Sequence, residues 1–301
     1  MSFHRVKDWL LLFALVAMWG SAFMFMKIAV ASVPPATLAA GRLVIGASVL
    51  LAVVHARGLH LPALGSAWRQ YALLAAVGNA VPFYLIAWGQ QRIDSALAGI
   101  LIAVMPLATL VLAHHFVSGE HITRHRLIGF ILGFSGIVLL MGPAAALTGE
   151  TGSALQMVSQ LSVLAGALCY AANTVVARLT VKGDVFIASA GVLLLASAMM
   201  LPLALVLDRP WTLMPSVASI ASVVWLGIGA TGMATLCYFA LIGSAGPTFT
   251  SLVNYMSPCV ALLLGVIILN EEPGPNAYAG LALILSGIAL SQFRRPRLPV
   301  P

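Results

Sequence analysis

Of 301 residues, 61% are hydrophobic and 8% charged, and the mean hydropathy is +1.04. A soluble domain carries roughly a quarter charged residues, so lipid must be the solvent for most of this surface. The net charge of +7 then speaks to orientation rather than to nucleic acid, because Lys and Arg are retained on the cytoplasmic side.

A span needs about 20 apolar residues, and long apolar runs between charged or Pro/Gly breaks predict ten. Met1 to Asp8 is basic but leads into a run continuing to Val30, too long for a signal-peptide core, so it reads as a retained first helix. That first span, 9–30, carries Trp19 and Ser21, with Lys27 near its far end. The second, 36–56, holds Arg42 a few residues inside the same end. The third, 70–89, brings Asn79, Tyr84 and Trp88, with Gln90 and Gln91 closing it.

The fourth span, 95–115, has Pro106 about midway and ends on His114 and His115, read as interfacial. The fifth, 126–142, carries Gly129 and Gly133 for close helix packing. Gly142 to Gln156 is polar and Gly/Ala-rich and reads as an external linker. The sixth span, 157–178, has Tyr170, Asn173 and Thr174; the seventh is 186–207; the eighth, 217–240, has Thr231, Thr235 and Tyr238. Only Gly243 to Gly246 separates it from the ninth, 247–269, which holds Thr248, Thr250, Ser251, Asn254, Tyr255, Ser257 and Pro258. The tenth, 276–293, repeats the glycine pattern with Gly280 and Gly287.

Charge tests this count. With the N-terminus cytoplasmic, the cytoplasmic segments take Arg5, Lys7, Arg57, Arg69, Arg124, Arg126, Arg178, Lys182, Arg294, Arg295 and Arg297, leaving Arg92 and Arg209 outside. Both termini are therefore expected in the cytoplasm. The halves also match each other. Met105-Pro106 and Ser257-Pro258 stand 152 residues apart, and Glu120, Gly129 and Ser135-Gly136-Ile137 recur 151 residues later as Glu271, Gly280 and Ser286-Gly287-Ile288. Trp19 pairs with Tyr170 and Lys27 with Arg178 in the same way. Five spans per half is an odd number, so residues 149–301 must enter the membrane inverted relative to residues 1–148. Inverted repeats hold a substrate near the midplane at their interface.

Polar groups at mid-depth cost free energy unless paired or facing a watery cavity. The residues expected to contact a solute are Asn254, Tyr84, Asn79, Trp19, Tyr170, Asn173, Tyr238, Tyr255, Ser251 and Gln91. Pro106 and Pro258 are expected to kink their helices and gate the path, each freeing the carbonyl four residues earlier, on Ile102 and Asn254. The competing readings are a packing kink for the prolines and an interfacial belt for Trp and Tyr, Trp88 above all. Lys27 and Arg42 either snorkel to the interface or hold a substrate carboxylate at the outer vestibule.

All eight acids (Asp8, Asp94, Glu120, Glu150, Asp184, Asp208, Glu271, Glu272) fall in loops or at helix ends. A proton relay through the membrane needs a buried carboxylate or His, so gradient-driven facilitation is expected in place of strict proton antiport. Cys169, Cys237 and Cys259 lie in apolar runs without metal-ligand spacing and read as packing residues. No metal, cofactor, nucleotide-binding or nucleophile–base pattern is found, which predicts neither an enzyme nor an ATP-driven pump.

Leu15-Val-Ala-Met-Trp-Gly-Ser-Ala-Phe23, Lys27, Val33-Pro-Pro35 and Arg42, with Met105-Pro106 and Glu120 in one half and Ser257-Pro258 and Glu271 in the other, resemble drug/metabolite transporters of the EamA type. Across nearly the whole chain the order and spacing look most similar to the YddG-like branch of amino-acid exporters. The resemblance implies an all-α integral membrane fold of ten helices in two inverted halves, in a bacterial inner membrane. It implies export of aromatic and other neutral amino acids or related metabolites by alternating access. Drug-like or organic-cation compounds, or a lipid-linked cargo, are the alternatives on the same scaffold. The partners expected are a small solute and membrane lipids, with the chain a monomer or homodimer.

Overall fold

The computed structural model describes residues 6–63, 65–118, 122–141, 151–180 and 183–292. Arg5, Glu120, Glu150, Lys182, Arg294, Arg295, Arg297 and the linker stretch 142–150 lie outside them. The described residues form helices α1 (Val6–Ala29), α2 (Pro35–Ala56), α3 (Ser66–Gln90), α4 (Ser95–Phe116), α5 (Arg124–Met141), α6 (Thr151–Thr180), α7 (Val185–Leu207), α8 (Val217–Thr250), α9 (Val253–Leu269) and α10 (Pro275–Gln292). Eight of these, α1 to α8, are long and apolar enough to cross a membrane. The chain is an all-helical, multi-pass membrane protein.

Helix starts follow local chemistry. Pro35 takes the first position of α2, where its missing N–H has no intrahelical partner to lose. Asp184 caps α7 by accepting from the Phe186 and Ile187 N–H groups, and Ser216 caps α8 by accepting from Ser219. One boundary departs from expectation: α6 begins at Thr151, inside the stretch read as linker, so a polar Thr-Gly-Ser segment forms its first turn. A second lies at the eighth and ninth spans. The chain stays helical through Gly243 and breaks at Gly246, whose φ of 82° only glycine adopts freely, and α9 starts at Val253.

The prolines act differently from each other. α4 is broken into Ser95–Ile102 and Met105–Phe116, so Pro106 sits in the first turn of its second piece rather than inside a continuous helix. Pro258 stays inside α9, leaving the Asn254 carbonyl without a helical donor.

Packing pairs α5 with α10 and α2 with α7, while α1 contacts α8 and α9, and α6 contacts α3 and α4. Between α5 and α10 the backbones touch. A methyl group on Gly129 would meet the Gly287 carbonyl oxygen at 2.5 Å, and one on Gly136 would meet the Gly280 carbonyl oxygen at 2.8 Å. Small residues allow this approach in lipid, where association depends on close van der Waals contact.

Four turns are cross-linked at one end of the bundle. Lys27 at the end of α1 donates to the Gln90 and Ile93 carbonyls at the end of α3 (3.2 and 2.7 Å), and Gln90 donates back to the Phe23 carbonyl. Lys27 therefore caps α3 and does not snorkel freely. Asp208 accepts from the Thr37 N–H and hydroxyl (2.7 and 2.9 Å), capping α2 from the end of α7. Glu271, after α9, accepts from the Ser95 and Ala96 N–H groups (2.7 and 2.9 Å) and so caps α4. Ser32 and Ser219 join α1 to α8. Carboxylates at helix N-termini are favoured by both the free N–H groups and the helix dipole.

Asp94, beside this cap, has its carboxyl raised above its ordinary value by burial first and by the Glu271 charge second, with Lys27 pulling the other way. The folded chain thus binds that proton more tightly than the unfolded chain, and stability falls as pH rises from the ordinary carboxylate value through the raised one. Asp94→Asn is expected to raise the melting temperature at neutral pH and to leave it unchanged well below the ordinary aspartate value of about 3.9, where Asp94 is protonated in both states.

Candidate functional site

A cavity of about 590 Å³ lies at the centre of the bundle, walled by α1, α2, α3, α4, α6, α7, α8 and α9. That size suits a small solute. It reaches from Met26, Arg42 and Ala230 at its deep end to Ala177, near the end of α6, and Val185, at the start of α7. The deep end is the one beneath the cross-linked turns, so the cavity is closed there and reaches toward the opposite side.

Its wall has paired positions. Trp19 and Tyr170, Ala22 and Asn173, Asn79 and Thr231, Ile102 and Asn254, and Pro106 and Pro258 all line it, each pair one repeat interval apart. Asn79 and Thr231 owe their placement to matched distortions. α3 widens into a π-helical turn at Ala76–Ala80 and α8 does the same at Ile228–Met233. Such turns leave carbonyls without their usual i+4 donor and recur at functional sites. In α8 the Thr231 hydroxyl donates to the Leu226 carbonyl five residues back (2.8 Å). Gly78, in the α3 turn, lies against the Asn173 amide where any Cβ would collide, so the glycine admits Asn173 to the wall.

Of the residues named from sequence, Asn254, Asn79, Trp19, Tyr170, Asn173, Tyr238, Pro106 and Pro258 line the cavity. Trp19 and Tyr238 lie against each other, with ring centroids 5.5 Å apart. Four others are placed elsewhere. Tyr84 packs into the apolar cluster between α2 and α7, and Tyr255 against the one around α4, α5 and α10. Gln91 is exposed in the turn after α3. Ser251 donates to the Thr248 carbonyl in the bend before α9. Tyr84, Tyr255 and Ser251 are each within one helical turn of a lining residue, but a helix rotates 100° per residue, so depth alone does not fix the face.

Arg42, for which the sequence offers snorkelling or holding a substrate carboxylate at the outer vestibule, stands in the cavity wall. It is 6% exposed, its Nε donates to the Thr231 hydroxyl oxygen at 2.7 Å, and its guanidinium stacks 3.8 Å from the Phe83 ring centroid. Placing Arg at the centre of a transmembrane helix costs about 2.5–3.5 kcal/mol, so a neutral hydroxyl and a ring offset only part of it. Among the described residues no Asp or Glu lines the cavity. The Asn173 Oδ1 and Ser257 Oγ atoms are buried without a hydrogen-bond partner. The remaining wall is mainly apolar and aromatic, including Phe23, Phe83 and Phe239. No group of His, Cys, Asp and Glu able to hold a metal occurs among the described residues.

Comparison with known proteins accords with this geometry. A sequence model of the EamA-like transporter family matches residues 7–142 and again residues 157–293. An uncharacterized inner membrane transporter of Escherichia coli K12, YedA, is 27% identical over 295 residues, covering 96% of this chain and 92% of its own. A protein of Streptantibioticus cattleyicolor named a probable terminal-alkyne amino-acid exporter is 28% identical over 291 residues, covering 95% of this chain and 93% of its own. A solved crystal structure at 22% identity superposes with a TM-score of 0.66 over 96% of this chain and 97% of its own, a likeness of fold.

Proposed function

The chain belongs to the EamA-like transporter family, and from that premise we propose that it exports amino acids or related small metabolites across the bacterial inner membrane. The observation that carries this reading is the central cavity, closed at one end by cross-linked helix termini and walled by paired positions of the two halves. Alternating access needs such a site, with two bundles able to close on either side of it.

The halves are residues 1–148 and 149–301, each of five helices and inverted relative to the other. Reciprocal contacts support this. Gly129 faces Gly287 and Gly136 faces Gly280, and exchanging each residue for its repeat partner turns one contact into the other. As one index rises the other falls, so α5 and α10 are antiparallel and the axis relating them crosses the helices. Both termini are cytoplasmic in this reading, and the cavity faces the cytoplasm. The chain works as a monomer or homodimer.

Transport is facilitative, because the wall offers a neutral or basic surface with no carboxylate among the described residues to carry a proton. Its aromatic lining suits apolar and aromatic side chains, and the amino-acid exporter among the relatives supports that class. Purified protein in liposomes is expected to equilibrate labelled neutral amino acids down their gradient with no imposed pH difference. Uptake that disappears without a proton gradient would overturn facilitation, and liposomes that carry no amino acid would overturn the substrate class.

A further inference from the structure

The site leaves one charge unaccounted for. Arg42 is buried in the wall of the cavity, and its single hydrogen bond among the described residues runs from Nε to Thr231. The Thr231 hydroxyl spends its own proton on the Leu226 carbonyl, so its oxygen is oriented to accept from Arg42. This holds the guanidinium by one edge. Phe83 covers a face at 3.8 Å, and Tyr170 stands edge-on to Phe83 with centroids 6.4 Å apart. Among the described residues the four N–H bonds on the two Nη atoms have no protein partner. The position one repeat interval away is Leu193, which also lines the cavity, so the repeated fold itself does not call for a cation at this position.

We infer that Arg42 is the seat of a carboxylate carried by the solute, and that the cavity selects its cargo by that group. A buried guanidinium held by one edge presents the planar fork that pairs with carboxylate through two parallel hydrogen bonds. The counter-charge that the protein withholds is supplied by the cargo. Asn79, Asn173 and Asn254 also line the wall, and an amide oxygen can meet the amine of an amino acid without demanding a full opposite charge. Trp19, Tyr238 and Phe239 are left to cover the apolar body. The same charge repels organic cations, so the site separates acids from amines of equal size. This rests on the central cavity being the transport path.

The test uses matched solutes on purified protein: L-phenylalanine and phenylacetate, which carry a carboxylate, against phenethylamine, which does not. Binding is followed by competition against labelled L-phenylalanine, and transport in liposomes. On the wild-type protein both carboxylates are expected to bind at least tenfold more tightly than phenethylamine. Arg42→Gln is expected to remove that preference, and Arg42→Lys to retain part of it, with helical content and melting checked for each. The wild-type comparison stands even where a variant fails to fold. Phenethylamine bound and carried as well as the acids would overturn the role of Arg42 and leave the transport reading intact. Failure of all three solutes to bind or move would overturn both.

Discussion

Gly287→Val is expected to cost about 3 kcal/mol or more, the upper part of the usual range for overpacking, and to lower the yield of folded protein. A side chain on Gly287 runs into the Gly129 carbonyl and into the backbone of Gly133, whose nitrogen lies 2.6 Å from the first added atom. A flexible side chain could move aside, but backbone cannot do so without separating α5 from α10. These two helices form the most extensive helix contact, and lipid offers no hydrophobic force to hold them once their backbones part. The control is Gly243→Ala in α8, where an added Cβ has no neighbour within 4 Å among the described residues; helix propensity there favours alanine by up to about 1 kcal/mol. Reversible unfolding followed by circular dichroism in mixed detergent would compare the two. Equal stability of Gly287→Val and wild type would refute the backbone contact.

Glu271→Gln is expected to cost about 1.5–3 kcal/mol, the range for hydrogen bonds to charged groups. Its two carboxylate oxygens take the Ser95 and Ala96 N–H groups at the start of α4, and the glutamine NH2 can only face one of those donors with another. The neighbouring Glu272→Gln is exposed and is expected to stay within about 0.5 kcal/mol of wild type. Because Glu271 reaches from the turn after α9 to α4, the loss also loosens the closed end of the cavity. In liposomes the variant is therefore expected to change transport rate, whereas Glu272→Gln leaves it unaltered. Unchanged stability and rate in Glu271→Gln would mean that this cap does not hold the end closed.

Much of the fold was legible in the chain because lipid imposes simple rules. Apolar length marks the helices, and Pro, Gly and charge mark their ends. The failures are local. Nothing in the composition of 151–156 distinguishes a linker from a helix's first turn, and α6 takes the latter. The cavity was legible in part. Asn254, Asn79, Tyr170 and Asn173 line it, whereas Tyr84 and Tyr255 turn into apolar clusters. Choosing between faces requires knowing where each helix is rotated, and the π-helical turns at Ala76–Ala80 and Ile228–Met233 shift the faces of α3 and α8. Those turns carry no Pro or unusual residue run to announce them.

The amino-acid order by itself determined that this is a membrane protein of apolar helices, that its halves resemble each other, and that its acids keep to helix ends. Those properties follow from solvation, which depends on residue type and depth. Only the tertiary structure decided which acids cap which helices, that the prolines of α4 and α9 act differently, and that Arg42 belongs to the cavity and Lys27 to the end of α3. A cation near a helix end can snorkel, cap or bind, and the choice depends on what the neighbouring helices place within about 3 Å of it. For Lys27 they place two carbonyls. For Arg42 they place a hydroxyl, a ring and a cavity.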